Sequence, residues 1–597
     1  MYRILFSFLL IFSSSTIIAQ VASTYTISFE NSAHHEAVVE AVFTDLKDKT
    51  VEFRMSRTSP GRYALHEFMK NVYDVKVTDG KGKELKTLRP DPYSWTVSGH
   101  DGTIKVNYVL FANRGGGTYS QIDDTHAHLN MPATFMYAPS LEEKPMEVTF
   151  NVREDLNWKV ATQLKHVEGN TYYAENLQYF MDSPTEVSNF SKRSFQVNGQ
   201  TISFVLHHNG TEAELDEYFN RVKNIVLEEE QVYGELPKFD YGEYTFLVCY
   251  IPNASGDGME HRNSTIVTST RSLANGGMDS NLGTVAHEFF HCWNVERIRP
   301  DALEPFDFEE ANMSGELWFA EGFTSYYTTL TLCRAGLISE EQYVKGITGT
   351  FNYVWNSPAR QFFNPIEMSY QAPFVDAARS VDPVNRDNTF ISYYSYGNML
   401  GLALDLSLRK NGLNLDDYMK LVWNKFGKQE KPYTVEDLHN TLNEYAGETF
   451  GSHFFKNYIY KSDMPEMKGL LSSVGVILTQ ELDKAAFGVS VNDEGFISKN
   501  TIIGTAAYNA GLEEGDKILK VNETGFTSAK DFNALIASLK PNDSIQIEYE
   551  RFGVPKQINV TLQPNTAYRL NLFEANNQKL NTKQKVARKA WLSSKQR

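Results

Sequence analysis

"GTVAHEFFHCWNVERIRP", residues 283–300, carries His287, Glu288 and His291 in the order H-E-x-x-H. On an α-helix, two residues four apart project from one face, one turn from each other. That is the spacing two zinc-binding imidazoles need. Glu288 is rotated by roughly 100° from His287. It therefore stands beside such a metal, placed as general base for a water molecule, rather than among the ligands. Val285, Ala286, Phe289, Phe290 and Trp293 are apolar and predict that this helix is buried. Cys292 points away from the histidine face and reads as structural. The rival reading of so short a motif is a pair of core histidines with no metal.

A catalytic zinc takes three protein ligands and keeps one position open. "GELWFAEGFTSYYTTLTL", residues 315–332, predicts a second helix downstream. In it Glu321 lies among Leu317, Trp318, Phe319, Ala320, Phe323 and Tyr326. A carboxylate in such company is costly unless it is paired or metal-bound. Glu316 is explained as a first-turn acid favoured by the helix dipole. The predicted ligand set is therefore His287, His291 and Glu321, holding one zinc per chain.

Around this centre the 597 residues are too many for one core, and three or four domains are expected. Strand-like segments such as "AVVEAVF", "TIKVNYVLF" and "MEVTFNV" predict an all-β, sandwich-like domain over residues 21–190. Residues 191–465 read as an α+β catalytic domain. Its first helix starts near Glu214 and stops at Gly234, a strand runs from Tyr244 to Pro252, and helices dominate from Asn281 to Tyr460. Ser339 and Thr434 begin capping-box patterns. Strands return from about Gly475. There "AAYNAGLEEGDKILKVN", residues 506–522, resembles a PDZ signature in Ala510, Gly511, Leu512, Gly515 and Asp516, which implies a PDZ-like β domain over residues 470–565. A basic tail over 566–597 has seven cationic residues and no acid after Asn576, and Lys585, Arg588 and Lys589 fall on one helical face. It reads as a solvated terminal helix.

Composition supports a globular chain, with 41% hydrophobic and 22% charged residues, and excludes a disordered or fibrous one. A formal net charge of −17 disfavours nucleic acid and anionic membranes as partners. Three scattered cysteines supply no disulfide framework. Cys249 and Cys333 lie in apolar runs and read as small buried hydrophobes. "MYRILFSFLLIFSSSTIIAQ", residues 1–20, has the layout of a secretory signal peptide cleaved near Ala19 or Gln20, with an uncleaved anchor as the alternative. The expectation is an exported protein, periplasmic or secreted, with no stable membrane span after cleavage.

H-E-F-F-H-C-W at 287–293 together with A-E-G-F-T-S-Y-Y at 320–327 resembles the gluzincin metallopeptidases. Ala320 stands where aminopeptidase N-like enzymes have Asn, and the spacer after His291 is longer. Those departures, "WNVERIRP" at 293–300 and the PDZ-like segment resemble the glycyl aminopeptidase family of PDZ-bearing metallopeptidases. The resemblance implies a thermolysin-like catalytic fold. It also implies that Gly258, Met259 and Glu260 correspond to an exopeptidase signature, with His261 in place of Asn and Glu260 pairing with the substrate's free amino group. The glycine would let a substrate backbone lie against the strand. By the same resemblance Tyr394 donates to the oxyanion of the reaction, with Tyr393 and Tyr396 as rivals and Tyr396 standing where the family has Lys.

The implied activity is removal of N-terminal residues, small ones and glycine above all, from peptides. A PDZ-assisted endopeptidase and a non-catalytic exported peptide-binding protein are the alternatives. The PDZ-like domain is expected either to bind peptide C-termini through the loop Ala486-Phe487-Gly488-Val489, with Phe487 and Val489 lining a pocket, or to pack on the catalytic domain.

Overall fold

The computed structural model describes residues 20–375 and 382–596. The signal-peptide reading rests on residues 1–19, outside the described residues. The N-terminal domain includes the strands β1 (Ser23–Ser28), β2 (Glu36–Phe43), β3 (Ile104–Phe111), β4 (His126–Leu129), β5 (Met146–Asn151) and β6 (Thr185–Ser188). Ala37, Val39, Ala41 and Phe43 alternate inward along β2, as a half-buried strand requires. The strands β1, β2, β3 and β5 belong to a seven-stranded sheet, and β4 pairs with β6 in a four-stranded one. Pairing is mostly antiparallel, but β1 runs parallel to β5. The two sheets and a three-stranded third enclose one apolar core.

The next sheet is built from β7 (Ser191–Val197), β8 (Gln200–His208), β9 (Glu243–Tyr250), β10 (Asp257–His261) and β11 (Ser264–Ser269), in the order β7-β8-β9-β11-β10. β10 is thus an edge strand, antiparallel to β11. Helix α1 (Glu212–Tyr233) crosses from β8 to β9. Its start is fixed by a capping box between Thr211 and Glu214, and its end by Gly234. Three further helices carry the site: α2 (Leu282–Phe290), α3 (Leu317–Arg334) and α4 (Tyr393–Lys410). α3 and α4 meet at Gly322 and Gly397. A Cβ on Gly397 would stand 1.8 Å from the Trp318 carbonyl oxygen, so only glycine allows the backbones this close. The capping boxes at Ser339 and Thr434 are both formed. Among the described residues no helix is long and apolar enough to cross a membrane.

Beyond these helices β12 (Val476–Gln480) pairs antiparallel with β16 (Tyr568–Leu572), from Val476 opposite Leu572 to Gln480 opposite Tyr568. Between them lies the PDZ domain, with β13 (Lys517–Val521), α5 (Ala529–Ala537), β14 (Ser544–Arg551) and β15 (Val554–Thr561) around its own core of Leu512, Ile518, Phe532, Ile547 and Leu562. Phe487 is packed into this core against Phe532, and Val489 is half-buried beside it. The domain also touches the catalytic side, where Asn388 bonds the Thr501 carbonyl and the Ile503 amide.

The tail differs from the solvated helix expected. Helix α6 (Thr582–Leu592) docks on the catalytic core: Trp591 is fully buried, stacks edge-on against Tyr343 and donates from Nε1 to the Tyr326 hydroxyl. Arg588, expected on the solvent face, is also buried and donates to the carbonyls of Val474 and Gly475. The charge count hid one apolar residue large enough to decide the packing.

Candidate metal centre and active site

α2 ends at Phe290, and His291 caps it while still in helical conformation, so both imidazoles keep the one-turn spacing. Each ring is fixed from behind. His287 Nδ1 lies 3.1 Å from Thr328 Oγ1, and His291 Nδ1 donates to the Asn294 carbonyl at 2.7 Å. Both Nε2 atoms therefore face forward, toward Glu321 on α3. Glu321 Oε2 lies 3.4 Å from His287 Nε2 and 3.3 Å from His291 Nε2. Nitrogen and oxygen ligands on a tetrahedral zinc, with bonds of about 2.0–2.1 Å, stand about 3.4 Å apart. The donor set fits the ion. The charges fit it too: burial opposes a positive His291, yet Glu321, Glu260 and Glu288 push this imidazole up to about 10. A site that draws a proton so strongly is one whose surroundings favour a cation.

Glu288 and Glu260 line the centre on the side of the edge strand. Their carboxylates and His291 place one atom each within 4.8 Å of one another. Burial first, then neighbouring Glu260 and Glu321, raises Glu288 well above the usual carboxylate range, against the pull of His291. Glu260 is raised as well, chiefly by burial. Glu288 Oε2 is buried without a hydrogen-bond partner. A carboxylate that is unpaired and proton-hungry beside a metal centre is suited to proton transfer.

Gly258 serves a different purpose from the one expected. A Cβ there would meet Glu288 Oε1 at 2.0 Å, so the missing side chain makes room for Glu288. Met259 points away from the cleft and packs under Gly61 and Gly117 of the N-terminal domain. It shapes the strand but does not reach the site. His261 is buried and held by Asp182 at 2.9 Å. Glu316 is structural, as its position suggested, accepting from Ser314 Oγ and the Val435 amide. Cys292 is buried in the core, away from the ligands.

The three tyrosines now separate. Tyr394 is half-buried, with its ring 5.8 Å from that of His287. Burial and nearby Glu321 raise its hydroxyl well above the ordinary value, so it stays protonated and able to donate. Tyr393 is buried against the Tyr63 and Tyr394 rings. Tyr396 is fully buried on another face of α4, near Arg360.

The N-terminal domain supplies a part of the site that helix and motif reading missed. Tyr63 donates from its hydroxyl to Glu321 Oε1 at 2.5 Å, fixing the ligand's second oxygen. Its neighbour Arg62 forms an ion pair with both oxygens of Asp257 on β10. Gly61, at φ 77°, brings the loop against Glu260, where a Cβ would lie 3.0 Å from Oε2. The segment "SPGRY" carried the one available signal, a Pro-Gly turn entering aromatic sequence.

Comparison with known proteins gives three matched segments. Residues 24–189 match the Peptidase M61 N-terminal domain, residues 280–400 match M61 glycyl aminopeptidase, and residues 480–562 match a PDZ domain. Among curated proteins, the periplasmic pH-dependent serine endoprotease DegQ of Escherichia coli is 29% identical over 106 residues, which is 18% of this chain and 23% of that one. The serine protease Do-like HtrA of Lactococcus lactis is 38% identical over 64 residues, 11% of this chain and 16% of that one. The chain thus spans less than a quarter of either relative. Among solved structures, an aminopeptidase N family protein from Idiomarina loihiensis superposes with a TM-score of 0.83 at 23% identity, covering 96% of this chain and all of that one. An M1 zinc metallopeptidase from Deinococcus radiodurans gives 0.42 at 12% identity, over 75% of this chain and 96% of that one. With the N-terminal, catalytic and PDZ segments matched in that order along one chain, the protein belongs to the M61 glycyl aminopeptidase family.

Proposed function

We propose that the protein is a gluzincin-type zinc aminopeptidase that removes N-terminal residues from peptides. The observation that carries this reading is the convergence of His287, His291 and Glu321, with Glu288 and Glu260 beside them. Zinc, when bound by those three ligands, supplies Lewis acidity and lowers the pKa of water. Glu288 takes a proton from the attacking water and returns it to the leaving amine nitrogen. The Tyr394 hydroxyl donates to the oxygen that gains charge in the transition state. Glu260 accepts from the substrate's α-ammonium group and so fixes where the peptide begins. Tyr63 holds Glu321 in its ligand geometry. A preference for small N-terminal residues, glycine first, is supported by the description of the family. Export to the periplasm or beyond is supported by the layout of residues 1–20.

Cleavage of aminoacyl amides and of their N-acetylated counterparts tests the reading. Free amines should be cleaved and acetylated ones refused, and Glu260→Gln should raise KM for the free amines. Equal cleavage of both forms would make the enzyme an endopeptidase.

A further inference from the structure

A second set of metal-ligand side chains meets where the N-terminal strands face the catalytic sheet. His126 on β4, His207 on β8 and Cys249 on β9 place one donor atom each within 4.8 Å of one another, all buried. Sequence context reads Cys249 as a plain buried hydrophobe, but its Sγ lies 3.8 Å from His126 Nδ1. Glu186 on β6 lies beside the group rather than in it, with Oε1 3.4 Å from the same nitrogen. The backbone arranges this. His207 and Cys249 are direct partners in the β8–β9 pair, and Glu186 is the partner of His128 in the β4–β6 pair. The catalytic sheet therefore offers His207 and Cys249 from one face, and the N-terminal sheet offers His126 with Glu186 beside it.

Around a tetrahedral zinc with bonds of about 2.0–2.1 Å to N and O and about 2.3 Å to S, neighbouring N and O stand about 3.4 Å apart and N and S about 3.6 Å. The separation of His126 Nδ1 and Cys249 Sγ, 3.8 Å, is close to the second. The far sides of the two imidazoles are also held, His126 Nε2 3.6 Å from Asp123 Oδ2 and His207 Nε2 3.2 Å from Thr125 Oγ1, and Glu186 Oε2 is 3.0 Å from His128 Nδ1. Such outer contacts orient metal ligands. A proton shared by His126 and Glu186 is the simpler way to balance the charge. That reading uses the His126–Glu186 pair and the Cys249–His126 contact with no ion present, and it predicts one metal ion per chain rather than two.

We propose that His126, His207 and Cys249 hold a divalent transition-metal ion of zinc type, with Glu186 beside it as a charge partner, fastening the N-terminal domain to the catalytic sheet. The ion's two charges are balanced by the Cys249 thiolate and the Glu186 carboxylate, and the thiol proton passes to solvent on binding. All three donors are buried between the two sheets, so no substrate reaches the ion and the role is structural.

Metal analysis of the full chain, with absorption spectra after cobalt(II) exchange, tests this. The catalytic ligand set contains no sulfur, so a thiolate-to-cobalt charge-transfer band reports on the new site alone. The wild type is expected to hold two ions per chain and show the band. His291→Ala should hold one ion and keep the band, whereas Cys249→Ser should hold one and lose it. His207→Gln, checked for folding by circular dichroism, should also lose the band. Loading that stops at one ion with no band overturns the proposal. A band that survives Cys249→Ser overturns it too, because the sulfur would then be Cys292 or Cys333.

Discussion

The Tyr63 hydroxyl donates to Glu321 Oε1 across 258 residues of chain, so the β domain grips a carboxylate of the proposed metal centre. Removing that grip should loosen the metal without unfolding the protein. Tyr63→Phe is expected to weaken zinc affinity by about 10–100-fold, the usual cost of losing a contact behind a ligand. A chelator titration monitored by residual zinc measures it, and unchanged affinity would deny Tyr63 this role.

Ligand and base should part company on substitution. His291→Ala is expected to lose both zinc and activity. Glu288→Gln should keep zinc and lose at least about a hundredfold in kcat, because Glu288 is rotated by roughly 100° from His287 along α2. Loss of metal from Glu288→Gln would make Glu288 a ligand instead.

Of the tyrosines, only Tyr394 combines partial exposure with closeness to His287. Tyr394→Phe is expected to lower kcat by about 10²–10³-fold, as for removal of an oxyanion donor, with little change in KM. Tyr396→Phe should leave kcat unchanged. Steady-state kinetics on one amide substrate separates the two.

Glu296 sets a dependence of stability on pH. Burial and Asp182 push its carboxyl up to about 7, against the pull of Arg299. The folded protein therefore binds this proton more tightly than the unfolded chain does. Its favourable contribution is complete below pH 4.5 and disappears as pH rises through about 7. Glu296→Gln should raise Tm relative to wild type by about 2–4 °C more at pH 8 than at pH 5. Equal differences at both pH values would contradict the shift.

Because Gln480 and Tyr568 are opposed in the β12–β16 pair, the PDZ domain can be cut out and the strands rejoined by a two-residue turn. The shortened protein should be soluble and retain zinc, whereas deletion of residues 581–597 should yield insoluble protein, since it strips Trp591 from the core. Comparing short amides with long peptides then assigns the domain. Normal cleavage of amides with loss of long peptides means that the domain recruits substrate, and equal loss of both means that it only stabilises.

Much of the catalytic side was legible because its signals are local. His287, Glu288 and His291 fall within one helical turn, and Glu321 stood out as an acid with no other purpose in an apolar helix. The capping residues Ser339 and Thr434 mark helix starts by their own hydrogen bonds, whereas the Thr211 cap was missed and its helix read as starting near Glu214. Contacts made by distant chain segments were not legible. Nothing local tells that Tyr63 reaches Glu321, or that Cys249 faces His126 rather than a plain apolar wall. Trp591 was misjudged for the opposite reason: seven nearby charges outvoted one indole, while packing depends on which face the indole occupies.

The burial of Trp591 between Tyr326 and Tyr343 also sets a timetable. During synthesis those tyrosines emerge first and then wait through the entire PDZ segment for the side chain that covers them. The PDZ core, made of residues 485–562, has no such dependence and can close beforehand. The PDZ domain can therefore fold before the catalytic domain that precedes it in sequence is complete. Over that interval the catalytic helices present an uncovered apolar wall, which is the state in which a nascent chain is most prone to aggregate.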